Sequence, residues 1–225
     1  MSERLTSDAR KCQILEGVRK VFARKGLEGA TTRELAKEAG VSEALLYKHF
    51  PSKEALYQAM LSSCGEEFEG EMDRINALEP STSTLALLIH FYVSAVIQMK
   101  KAPDMDVLVR LYLRSLTEDG AFARVANDVK SAKFVPKAEE CIKAAIAAGD
   151  IEDSSVPPKL RAIFAQRLAF IMMTNFLPPT PVTDYGMSRE KLTEHIVWFV
   201  LRGIGLKEAT IHRYYNPKAL ALVAA

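Results

Sequence analysis

From Thr31 to Lys53 the chain reads TTRELAKEAGVSEALLYKHFPSK, a stretch that starts one helix, turns on a glycine, starts a second helix and stops it at a proline. Thr31 is placed to cap the first helix, and Glu34, three residues on, completes a capping box. Leu35, Ala36 and Ala39 mark one apolar face at helical spacing. Gly40 supplies the positive φ that ends this helix, because it has no Cβ to clash. Ser42 can cap a second helix running to Phe50, and Pro51 closes it by pushing the preceding residue out of the α region. Ser52 opens a third. Two short helices across a tight glycine turn form a helix-turn-helix, whose second helix can lie in the DNA major groove.

The wording of the stretch goes further than the generic motif. Thr31-Thr32, Ala39-Gly40-Val41-Ser42, Leu46-Tyr47-Lys48-His49-Phe50 and Ser52-Lys53-Glu54-Ala55-Leu56 follow one another in the chain. This succession closely resembles the DNA-binding domain of the tetracycline-repressor (TetR) family of bacterial transcription regulators. The resemblance covers roughly residues 8–60. Beyond it only the all-helical pattern and the length agree.

Working outward, Ile14, Leu15, Val18, Val21 and Phe22 form one apolar stripe of a helix expected over about 6–25, with Lys25-Gly26 as its C-terminal stop. A longer helix is expected from Ser52 through Leu56, Met60 and Leu61 toward Leu78. Glu79-Pro80-Ser81-Thr82-Ser83 breaks the pattern, and helices follow at 83–101, 104–117, 119–148, 157–177 and 188–206. The 119–148 stretch is expected to break near Val135-Pro136. Sustained strand alternation is not seen, so the fold class is all-α: a three-helix helix-turn-helix head over 1–56 and a helical effector-binding and dimerisation domain over 57–225.

Composition agrees with this reading and narrows it little. Hydrophobic residues at 48% and charged ones at 26% are ordinary for a soluble globular chain of 225 residues. Residues 1–60 carry 11 Lys/Arg against 8 Asp/Glu, whereas the rest carries 19 against 20, so the small positive excess lies in the segment expected to face phosphate. Cys12, Cys64 and Cys141 are odd in number, widely spaced and without a CxxC, which reads as three reduced thiols. The N-terminus has no signal-peptide core, and the greasiest run, Leu85–Met99, is shorter than the roughly 20 residues of a membrane span. A cytoplasmic protein is expected, with no membrane contact, no metal and no cofactor. HExxH, GxSxG and Gly-rich phosphate loops do not occur, which leaves an enzyme little to work with.

Phosphate contacts need donors at fixed positions, and Thr32 and Arg33 in the first turn of the leading helix supply a hydroxyl and a guanidinium. Lys53 at the next helix start would be a third clamp. Outside this motif Arg33 and Lys53 would read as solvated surface charges. On the second helix Leu46 and Phe50 should pack inward with Val41. That leaves Ser42, Glu43, Ala44, Leu45, Tyr47, Lys48 and His49 for DNA. The resemblance implies that Tyr47 and His49 meet phosphate and sugar. Ala44 and Leu45 can meet thymine methyls and Glu43 can accept from cytosine N4, although a carboxylate near phosphate is repelled unless it finds a base amine or Lys48.

One recognition helix reads few base pairs, so a homodimer on a two-fold operator in double-stranded DNA is expected. Phe164 and Leu168 on one late helix, with Ile196, Phe199, Val200 and Gly203 on the last, are the candidate seam; intramolecular core is the alternative. A small hydrophobic effector would sit among Tyr92, Val96, Met99, Met105, Leu108, Tyr112, Met172, Met173 and Phe176, with His90, Ser94, Gln98 and Asn175 to orient it. These too could be plain core. Two functional readings therefore stand: an inducible repressor, and a helix-turn-helix protein that binds DNA without any effector.

Overall fold

The computed structural model describes residues 6–62, 66–98, 105–118, 120–152 and 154–217. Among them are eleven α-helices and no strand beyond a single isolated bridge, Ile151 to Leu206. The chain divides into two compact units, each discontinuous in sequence: residues 1–66 with 101–129, and residues 67–100 with 130–225.

The first unit contains α1 (Ser7–Gly29), α2 (Thr32–Glu38), α3 (Glu43–His49), α4 (Lys53–Ser62), α7 (Met105–Thr117) and the beginning of α8 (Ala121–Ala147). Its core follows the expected stripe, with Ile14, Leu15, Val18, Val21 and Phe22 of α1 all buried. Leu35 and Ala36 of α2, Leu46 of α3 and Leu56 and Met60 of α4 close over it. The Phe22 ring meets Tyr57 edge-on at 4.9 Å, and Tyr57 meets Phe122 of α8 at 5.7 Å. Such pairs add to simple area burial. Helix α1 is interrupted at Gly26, which takes φ 69 and ψ −177 before the chain turns on to Gly29.

The second unit contains α5 (Glu66–Asn76), α6 (Thr82–Ile97), the remainder of α8, α9 (Pro158–Thr174), α10 (Arg189–Ile204) and α11 (Glu208–Tyr214). Helix α6 is buried on nearly every side, from Leu85 and Leu88 to Ile89 and Val93, as its predominantly apolar sequence requires. No helix among the described residues is long and apolar enough to cross a membrane. Buried cations are satisfied by backbone. Arg161 donates to the carbonyls of Val156 at 2.7 Å, Ile204 at 3.0 Å and Ser154 at 3.2 Å, tying the loop before α9 to the end of α10. Lys137 of α8 donates to the Asn76 and Leu78 carbonyls, taking up acceptors that the end of α5 leaves free.

Two expectations change, and a third falls partly outside the described residues. Helix α8 runs unbroken through Pro136. The proline sits on the exposed face beside exposed Ala132, so the carbonyl it deprives of a partner is open to solvent. The tail contains a further helix, α11, followed by Tyr215, which is buried with its hydroxyl 3.4 Å from His90 Nδ1. The single helix expected from Ser52 to Leu78 is described as α4 and α5, and residues 63–65 lie outside the described residues.

Candidate nucleic-acid interface

The local chemistry of residues 31–53 sets the interface. Thr31 Oγ1 accepts from the Glu34 amide at 3.3 Å, and the Glu34 carboxylate accepts from the Thr31 amide at 3.3 Å and from its hydroxyl at 3.0 Å. The capping box is complete. Lys25 adds an ion pair to the other carboxylate oxygen at 2.5 Å. The Lys25 hydrogen bond, followed by those from Thr31, holds the Glu34 carboxyl down at about 2. A carboxyl lowered in the folded state contributes stability that is whole above its unfolded value and lost as the pH falls through its folded one. The start of α2 should therefore hold above pH 4.5 and loosen progressively toward pH 2. An NMR titration of Glu34 checks this: a midpoint in the ordinary carboxylate range would show that Lys25 and Thr31 do not hold it.

At the other end of α2, Gly40 takes φ +66, and the Gly40 and Val41 amides bond back to the Lys37 and Ala36 carbonyls at 3.1 and 3.0 Å. Ser42 Oγ then accepts from the Leu45 amide at 3.1 Å and caps α3, and Ser52 Oγ does the same for α4 through Ala55 at 3.0 Å. Two residues that the sequence did not single out clamp the turn from α1. A Cβ built on Gly17 would lie 2.5 Å from Ala39 Cα, so the two backbones touch there. Gln13 Nε2 donates to the Ala39 carbonyl at 3.2 Å.

Fixed in this way, α3 turns Leu46 and Phe50 inward at 2% and 6% exposure. Ser42, Glu43, Ala44, Tyr47 and Lys48 are exposed, as is Arg33 on α2. Thr32, Leu45, His49 and Lys53 are half-buried. The Tyr47 and Thr32 hydroxyls are 2.9 Å apart, so the first turn of α2 and the outer face of α3 present one continuous polar surface. Lys53 Nζ lies 3.4 Å from the Ala30 carbonyl, which orients its ammonium at the head of α4.

Residues 14–60 match the family described as bacterial regulatory proteins, tetR family. Residues 14–60 thus carry the DNA-binding head typical of the tetR family. That head is a helix-turn-helix, α2 and α3 joined across Gly40. A curated relative, nucleoid occlusion factor SlmA of Haemophilus influenzae, is 31% identical over 128 residues, or 56% of this chain and 57% of the relative. The chain thus spans little more than half the length of that relative. The fold is shared with solved tetR-type structures. AibR, solved in complex with isovaleryl coenzyme A and operator DNA, superposes with TM-score 0.63 at 20% identity, covering 84% of this chain and 97% of AibR. The transcriptional regulator FadR of Bacillus subtilis, in complex with stearoyl-CoA, superposes with TM-score 0.63 at 16% identity, covering 85% of this chain and 98% of FadR.

The residues expected around an effector are distributed between the two units. Tyr112 is buried in the first unit. Tyr92 and Met173 are buried in the second, with Val96, Met172 and Phe176 half-buried there. The Tyr92 ring lies 4.4 Å from that of Phe134, and the Arg189 guanidinium sits 4.4 Å over Phe176. Met99 and the side chains of Met105 and Leu108 lie outside the described residues. Two of the polar groups are already engaged: His90 with Tyr215, and Asn175 with the Thr183 backbone at 2.7 and 3.0 Å. Ser94 Oγ is buried with no hydrogen-bond partner.

The candidate seam needs one correction. Phe164 and Phe199 are 59% and 68% exposed, and Leu168 is half-buried. Gly203 is exposed with nothing within 4 Å of a Cβ built on it. Ile196 and Val200, however, are 5% and 3% exposed, because α10 has apolar residues on two faces and these point into the protomer's own core. The outward face of α10 carries His195, Phe199, Arg202 and Gly203 instead.

Proposed function

We propose that this chain is a homodimeric repressor that grips a palindromic operator through α2 and α3 and is released by an apolar or amphipathic small molecule. The observation that carries the DNA contact is the Thr32–Tyr47 hydroxyl pair at 2.9 Å, set between exposed Arg33 and Lys48. It fixes a phenol and a hydroxyl where two phosphate-facing groups are needed, before any DNA arrives. Residues 1–56 make the DNA-binding domain in this reading, and 57–225 serve effector and partner.

Band-shift titrations on fragments of the genomic DNA flanking the gene test it. Tyr47→Ala and Lys53→Ala should each weaken binding about tenfold without unfolding the head, and Lys53→Ala should also reduce the salt slope by about one. Variants that bind like the parent at every salt concentration would overturn the contact assignment.

For the effector, two fold neighbours were solved in complex with acyl-coenzyme A thioesters, and this makes acyl chains the first class to screen. A hundredfold release requires about 2.7 kcal/mol of coupling, and by reciprocity operator DNA must weaken the ligand by the same factor. The similarity to SlmA extends over 128 residues, well beyond the matched head, and favours a second reading in which the chain binds DNA with no effector. A thermal-shift screen with and without operator separates the two. Ligands whose affinity is unchanged by DNA support the second.

A further inference from the structure

Helix α7 lies far from the head in sequence yet belongs to the same compact unit. Its Val109, Tyr112 and Ser115 are buried there. At its last turn Arg114 Nη1 donates to the carbonyl of Arg24 at 2.6 Å, across 90 residues of chain, while its Nε holds Glu118 at 2.8 Å. The Arg24 carbonyl stands in the last turn of α1 before Gly26 interrupts it. Carbonyls at such an end lack the amide four residues on, and a guanidinium is a strong substitute. Gly26 is needed for its φ of +69, and the Arg114 guanidinium lies in ordinary contact distance of it, 3.5 Å from the position a Cβ would take.

The residue after Arg24 is Lys25, whose ammonium holds Glu34 in the capping box of α2. Arg24 itself reaches Glu38 at 3.8 Å. Lys53 bonds to Ala30 in the same connection. The joint between α1 and α2, from which Thr32 and Arg33 project, is thus fastened from α7, from α2 and from α4. Only the α7 fastening comes from outside residues 1–62.

We infer that Arg114 is a positioning residue for DNA binding: it sets the α1–α2 joint and thereby the phosphate-facing first turn of α2. The inference rests on the reading of α2 and α3 as the DNA-contacting surface.

The test compares the full-length parent with Arg114→Leu and Arg114→Lys in two measurements. Amide hydrogen exchange without DNA reads the joint directly. Arg114→Leu should accelerate exchange over residues 24–38 and leave the melting temperature within a few degrees of the parent. Operator titrations should show about a tenfold loss with an unchanged salt slope, since no phosphate contact is removed. Arg114→Lys keeps a cationic donor and should recover most of both. Parent-like exchange in Arg114→Leu overturns the inference, and so does a loss that the lysine does not recover or that comes with global unfolding. If the parent binds no genomic fragment, the proposed function fails, while the exchange comparison still decides whether Arg114 holds the joint.

Discussion

Gly17→Ala is expected to weaken operator binding by at least tenfold and to lower the stability of the head by about 1–2 kcal/mol. Two effects oppose each other. Alanine favours an α-helix over glycine by about 1 kcal/mol. Overpacking a well-filled contact costs about 1–3 kcal/mol, occasionally more. The added methyl would meet Ala39 Cα at 2.5 Å and the Ala39 nitrogen and Glu38 carbonyl oxygen at 3.0 Å. All three are backbone atoms, which cannot rotate away as a side chain can, so the cost falls at the upper end and wins. The displaced element is the turn between α2 and α3, so Gln13 would lose its bond to the Ala39 carbonyl as well. Gly70→Ala provides the opposite sign: that glycine is exposed in α5 with nothing within 4 Å of its Cβ position, and the helix gain should show unopposed. Thermal unfolding and band shifts on both variants decide. A Gly17→Ala head as stable as the parent would mean that α1 and the turn do not touch.

The same glycine shows where sequence reading stops. Thr31, Glu34, Gly40, Ser42 and Pro51 were legible because each acts on backbone within four residues of itself. Capping and turn chemistry is local, and the structure repeats it bond for bond. Gly17 was not legible, since its reason lies 22 residues away in the approach of Ala39. Gly26 was read as a helix stop, and it does interrupt α1, but the guanidinium that takes up the Arg24 carbonyl before it comes from α7. Pro136 looked like a break because proline deprives a carbonyl of its partner; it does not break α8 because the helix presents that position to solvent. Helical periodicity also found the stripes of α9 and α10 but could not say which side of a two-sided helix faces inward. For α10 the answer needed the burial of Ile196 and Val200 beside the exposure of Phe199.

That distinction decides how the dimer should be tested. Ile196→Glu would place a carboxylate in the protomer's own core, and the loss would report unfolding. Phe199→Glu acts on the outward face, and it is expected to give a folded monomer with at least a hundredfold weaker operator binding. Leu160, Phe164 and Ile171 are 42%, 59% and 57% exposed on one side of α9, at spacings of four and seven, and Phe199 is 68% exposed on α10. Burying side chains of this size contributes about 1.5–3 kcal/mol each. Across a two-fold axis every one of them is counted twice. Association costs about 4–15 kcal/mol, a range that overlaps what these partly covered side chains can contribute, so the loss of one pair can decide the outcome. The substitution removes two phenyl rings and brings two carboxylates into the seam, and both changes oppose association. A monomer presents one recognition helix and holds one half-site, losing the second set of contacts about 34–36 Å along the duplex. Sedimentation, circular dichroism and band shifts on the parent and Phe199→Glu give the three readouts. A parent that sediments as a monomer at micromolar concentration, or a Phe199→Glu dimer with parent-like operator affinity, would place the seam elsewhere.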